Sequence, residues 1–73
     1  MNWNYYVLPG FVARMEDVYY AKSGNPKVEI QGTSGMWEEP EEMHEMQRMI
    51  SREGTLVDEK TAAQAFIRFN KRT

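Results

Sequence analysis

Cysteine is missing altogether from this 73-residue chain, which excludes a disulfide framework and every thiolate metal site. A single histidine, His44, leaves little for a nitrogen-ligated metal, so no metal and no cofactor is expected. No long apolar run occurs, so no membrane span is expected. No basic stretch precedes an apolar one near Met1, so no secretory signal is expected either, and a cytoplasmic location is the default. The glycines stand singly and make no phosphate-loop pattern. Positive charge is not in excess: the net charge is −2, which argues against a generic polyanion binder.

What the chain does have is nine aromatic residues and six methionines on a length that allows one domain, residues 1–73. Chains this short bury only about 60% of the surface they expose when unfolded. With disulfides and metals set aside, a well-packed aromatic core or a second copy of the chain is the expected support.

Charge is distributed unevenly. Residues 1–37 balance Arg14, Lys22 and Lys27 against Glu16, Asp17 and Glu29. Residues 38–53 set Glu38, Glu39, Glu41, Glu42, Glu45 and Glu53 against Arg48 and Arg52, a local net of −4. Residues 54–73 set Lys60, Arg68, Lys71 and Arg72 against Asp58 and Glu59, a local net of +2.

Trp3-Asn4-Tyr5-Tyr6-Val7-Leu8 reads as a strand that stops at the Pro9-Gly10 turn. Large groups alternate onto both of its faces, which places it inside a sheet or covered on both sides. Residues 11–21 are ambiguous. Phe11, Met15, Val18 and Tyr19 suit a short helix, but Val18-Tyr19-Tyr20 favours a strand at about 16–22. After the turn Ser23-Gly24-Asn25-Pro26, the alternation Lys27-Val28-Glu29-Ile30-Gln31 completes a hairpin, 16–22 with 27–32. Gly32 to Gly35 reads as a loop.

The period then changes. Pro40 suits a helix's first turn and glutamates crowd the same turn, while Met43, Met46, Met49 and Ile50 recur at helical spacing. A helix over 39–53 follows, stopped by Gly54. A second begins near Asp58 as N-cap, with Leu56 and Val57 packed ahead of it and Ala62, Ala65, Phe66 and Phe69 on one stripe. The expected fold is α+β: a small three-stranded antiparallel sheet from residues 1–37, followed by two helices from 38–73 packed on one face.

Chemistry finds little support. Glu41 and His44 make one Glu-x-x-His spacing, where a carboxylate-bridged metal pair needs two. Ser51, His44 and Asp58 could be assembled into a triad only on paper, with no nucleophile turn beside them. No catalytic residue is expected, and the chain reads as no enzyme. The expected function is protein binding: a small acidic adaptor or inhibitor of a host protein complex, of the kind phages encode, aimed at a basic surface on a nucleic-acid-handling target. Its expected docking residues are Glu38, Glu39, Glu41, Glu42, Glu45, Tyr6, Tyr20 and Trp37. The alternative is a nucleic-acid-binding regulator using Lys60, Arg68, Lys71 and Arg72 or the aromatic sheet face.

Overall fold

Strand β1 (Trp3–Leu8) reverses through Pro9-Gly10 into β2 (Phe11–Glu16), in a computed structural model that describes residues 2–17 and 26–71. Proline sets the first bend and Gly10 takes φ +89°, the residue pattern of a type II turn. The register runs from Leu8 opposite Phe11 to Trp3 opposite Glu16. Strand β3 (Val28–Gln31) then pairs with β2, β4 (Trp37–Glu38) with β3, and β5 (Thr55–Val57) with the free side of β1. The sheet is therefore five-stranded, antiparallel throughout, in the order β4-β3-β2-β1-β5. Helix α1 (Met43–Glu53) precedes β5 and α2 (Glu59–Asn70) follows it.

The α+β class with an antiparallel sheet and two helices agrees with the sequence reading, but its details change. The sheet has five strands rather than three, because the short edge strands β4 and β5 lack the length that announces a strand. Strand β2 ends at Glu16, and the strand expected at 16–22 falls mostly on residues 18–25, which lie outside those described. It is β2 that pairs with β3, with Ala13 opposite Ile30 and Met15 opposite Val28.

The helices also occupy opposite faces of the sheet, not one. Directly opposed residues share a face, and successive residues alternate. Leu8, Ala13 and Val28 therefore point one way, where Ile50 of α1 closes over them with Tyr6, Met15, Met43 and Met46 around the rim. Val12 points the other way and meets Ala62 and Ala65 of α2, with Tyr5, Val7, Trp37 and Phe66 about them. Neighbouring Val12 and Ala13 are both fully buried, each beneath a different helix. The expectation that β1 is covered on both sides thus agrees with the fold, and β5 lets the chain cross from one face to the other around the sheet edge.

Helix α1 starts at Met43 rather than near residue 39, so Pro40 lies ahead of it. Glu42 is its N-cap without a side-chain cap bond, and the Met46 amide donates to the Glu42 carbonyl at 3.0 Å. The late start is anchored on the sheet. Strand β4 does not reach Val28, and there the Met43 sulfur accepts the Val28 amide at 3.3 Å. The Gln47 side-chain Nε2 donates to the Pro26 carbonyl at 2.8 Å nearby. An edge that would otherwise carry an open donor is closed by the helix. At the other end Gly54 has φ −76°, so it is no left-handed cap. Its need for glycine is steric: a Cβ there would stand 2.6 Å from the Ile50 carbonyl oxygen that its own amide engages.

Helix α2 begins where the sequence places it. The Asp58 carboxylate accepts the Thr61 amide at 2.7 Å. Hydrogen bonds from Thr61, first from its side chain and then from that amide, hold the Asp58 carboxyl below its ordinary value near 3.8. A depressed folded-state value means that the charged cap's stabilisation is complete above the ordinary aspartate range and lost as pH falls through the folded value. Replacing Asp58 with Asn keeps a capping side chain but no charge. The melting-temperature gap between wild type and this variant should be widest at neutral pH and close in acid. A gap that stays constant into strong acid would refute the charged-cap account.

Candidate functional site

The acidic run follows the chain out of the sheet. Glu38 sits in the edge strand β4, Glu39, Glu41 and Glu42 lie on the connection to α1, and Glu45 is in the first helical turn. All five are exposed. Among the described residues only Glu39 has a cation, Lys27, whose Nζ stands 3.3 Å from its carboxylate. The outer side of α1 continues with His44, Arg48, Ser51 and Arg52, all exposed.

The aromatic residues of the sequence reading do not gather around that run. Tyr6 packs into the Ile50 core on the α1 face, whereas Trp37 belongs to the α2 face. Tyr20 lies outside the described residues. What Trp37 joins instead is a clamp across β1, β2, β3 and β4. The Arg14 guanidinium is sandwiched between Trp3 and Trp37, 4.3 Å from each ring centre. Its Nε donates to Glu29 Oε1 at 2.9 Å, and Nη2 donates to the same oxygen. The other Glu29 oxygen faces Lys27 Nζ at 3.9 Å. Tyr5 leans on Trp37 with ring centres 6.1 Å apart.

This arrangement follows from register. Arg14 is opposite both Tyr5 on β1 and Glu29 on β3, and Trp3 shares its face two residues along. A cavity of about 200 Å³ opens beside it, lined by Tyr5, Arg14, Gln31 and Trp37 and by the first turns of α2. The Arg14–Glu29 pair is the functional-type group that the sequence reading missed. The alternation in residues 27–31 put Glu29 on the face opposite Val28, but without β2 in place no partner could be named for it.

The cations of α2 form a separate surface. Lys60, Arg68 and Lys71 are exposed at helical spacing on the side away from the sheet, and among the described residues none has an ion-pair partner. Arg72 lies outside the described residues. Ile67 stands among them, 55% exposed.

The groups weighed for chemistry are engaged elsewhere. The Ser51 hydroxyl donates to the Gln47 carbonyl at 3.0 Å, and the Asp58 carboxylate caps α2. Among the described residues no three His, Asp or Glu side chains converge as a metal-holding group, and no helix is long and apolar enough to cross a membrane. No protein-family model matches this chain, and neither curated proteins nor solved structures furnish a match to it.

Proposed function

We propose that this chain is a non-enzymatic protein-binding module, a small acidic adaptor or inhibitor that docks on a basic protein surface. The observation that carries this reading is the exposed succession Glu38, Glu39, Glu41, Glu42 and Glu45, in which only Glu39 has a cationic neighbour among the described residues. Uncompensated like charges repel one another in the free protein, and a positive partner relieves that repulsion while steering encounter. A basic target of this kind is characteristic of nucleic-acid-handling complexes, whose phosphate-binding grooves the carboxylates would occupy.

Changing all five glutamates to glutamine should leave the circular-dichroism spectrum and the melting transition in place, because none of them is buried. Capture of the partner from nuclease-treated bacterial lysate should fall by about tenfold or more, the scale of electrostatic steering. Capture that is unchanged by the five substitutions would overturn docking through the acidic run.

A second reading rests on Lys60, Arg68 and Lys71, unpaired on one side of α2. Phosphate contacts from these cations would make nucleic-acid binding weaken steeply with salt. The apolar Ile67 at the middle of that side offers nothing to a phosphate backbone. Partners lost on nuclease treatment, with nucleic acid co-purifying, would shift the assignment to this reading.

A further inference from the structure

The two faces of the sheet are packed with different chemistry. Under α2 the core is Val12, Ala62 and Ala65 with aliphatic and aromatic neighbours, and no methionine among the described residues. On the other face Met15, Met43, Met46 and Met49 pack around the buried Leu8, Ala13, Val28 and Ile50. Every apolar side chain of α1 except Ile50 is a thioether. One helix is thus held largely by groups that peroxides oxidise, the other by hydrocarbon and aromatic groups.

Met43 also holds a backbone bond. The Glu16 amide donates to the Lys27 carbonyl at 2.8 Å, which turns the Lys27 and Glu29 backbone groups toward β2 and the Val28 amide toward the opposite edge. Strand β4 stops short of that position. The Val28 amide, on a residue with no exposure, donates instead to the Met43 sulfur at 3.3 Å. A thioether is a weak acceptor, so this bond is readily displaced. Met43, Met46 and Met49 are all half-buried, within reach of a small oxidant.

We propose that Met43 is an oxidation site whose sulfoxide releases α1 from the sheet while α2 stays docked. A sulfur lone pair attacks one oxygen of hydrogen peroxide, and the S–O bond forms as the O–O bond breaks. The departing hydroxide takes the proton from the oxygen left on sulfur, giving sulfoxide and water. Sulfur gives up an electron pair and the peroxide gains it. Oxygen added on the amide side needs about 2.9 Å from the Val28 nitrogen for itself. The sulfur bearing it already stands 3.3 Å away, so the start of α1 must retreat. Oxygen added on the other side sets a polar group among the apolar neighbours of Ile50 and drains the lone pair that the amide uses. Either way the contact weakens where α1 begins. This goes beyond the docking proposed above and does not depend on it.

Brief hydrogen peroxide treatment of the full chain, followed by peptide mass spectrometry, gives the sulfoxide fraction at each methionine. Met36, 67% exposed and outside both cores, should oxidise first and leave the packing unchanged. Oxidation at Met43 should speed amide hydrogen exchange at Val28 and along α1 by about tenfold or more, the scale of a buried donor losing its acceptor. Exchange in α2 should stay slow. A chain with Met36→Leu, Met46→Leu and Met49→Leu keeps Met43 as the one thioether of α1 and should respond in the same direction. Leucine for methionine conserves volume, so this chain is expected to fold. Methionine sulfoxide reductase with a dithiol reductant should restore slow exchange, with water and a disulfide of the reductant as products. Exchange at Val28 and along α1 that is unchanged once Met43 is oxidised overturns the proposal. So does exchange that rises equally in α2, which is global unfolding, and so does a Met43→Leu chain whose response to peroxide matches that of wild type.

Discussion

Truncating Ile50 to alanine should cost about 2–5 kcal/mol, the range for deleting a buried large aliphatic side chain. A chain of this length has a total stability of about 4–11 kcal/mol, so one such loss takes a large fraction of it. The position is chosen by geometry. Ile50 is 2% exposed and is the buried residue through which α1 meets Leu8, Ala13 and Val28 on three different strands. Its carbonyl also accepts the Gly54 amide at 2.9 Å, where the chain leaves the helix for β5. Met43, Met46 and Met49 surround it, and their flexible side chains can lean into part of the void. That places the expected cost in the lower half of the range. Ile50→Val should cost only about 0.5–1.5 kcal/mol. Leu56→Ala, at a side chain 64% exposed, should stay within about 0.5 kcal/mol. Urea unfolding of the three variants gives the order directly. An Ile50→Ala loss no larger than that of Leu56→Ala would mean that α1 does not pack on the sheet as described.

The same residues explain how far the sequence could be read. Strand β1 is legible because Trp3, Tyr5, Tyr6, Val7 and Leu8, aromatic, β-branched or aliphatic, run up to a Pro-Gly turn. Helix α2 is legible because Asp58 announces its start and small or aromatic residues recur on one stripe. Strand β2 defeats the same procedure for a physical reason. A central strand covered on both faces has no need to alternate, so Val12 and Ala13 are adjacent and both buried. Phe11 and Met15 then fall four apart, as on a helix, while Val18-Tyr19-Tyr20 draws the strand assignment downstream. The opposite placement of the helices was hidden in β5. Its Leu56 and Val57 serve as well for a hydrophobic lead into α2 as for a strand, and only pairing with Tyr5 and Tyr6 decides between them. Of the candidate site, the acidic run was readable from composition alone. The Arg14 clamp was not, because it depends on a register that spans four strands.

That clamp carries the second large effect, on replacement of Arg14 by alanine. Arg14 and Glu29 keep 20% and 14% of their side chains exposed, so the pair is shielded without being sealed. Removing the guanidinium leaves Glu29 Oε1 without either donor, and Lys27 at 3.9 Å faces the other oxygen. A carboxylate stranded in this way costs less than in a sealed core, where the loss is about 3–5 kcal/mol. The two indoles add to it, since each loses a cation–π partner worth about 0.5–2 kcal/mol and the filler between them. A combined loss of about 2–4 kcal/mol is expected for Arg14→Ala. The composition of that loss can be separated. Arg14→Met keeps a stem between the rings and should recover the packing part only. Arg14→Lys keeps charge but neither the flat stacking surface nor the forked donors, and should recover less than half. Adding Glu29→Ala to Arg14→Ala removes the stranded carboxylate, so the double variant should be more stable than the sum of the singles by about 1–3 kcal/mol. Both indoles report on the site, and their emission should shift to the red in Arg14→Ala even where the chain remains folded. An Arg14→Ala loss below about 1 kcal/mol, with no coupling to Glu29, would reduce the clamp to a surface ion pair.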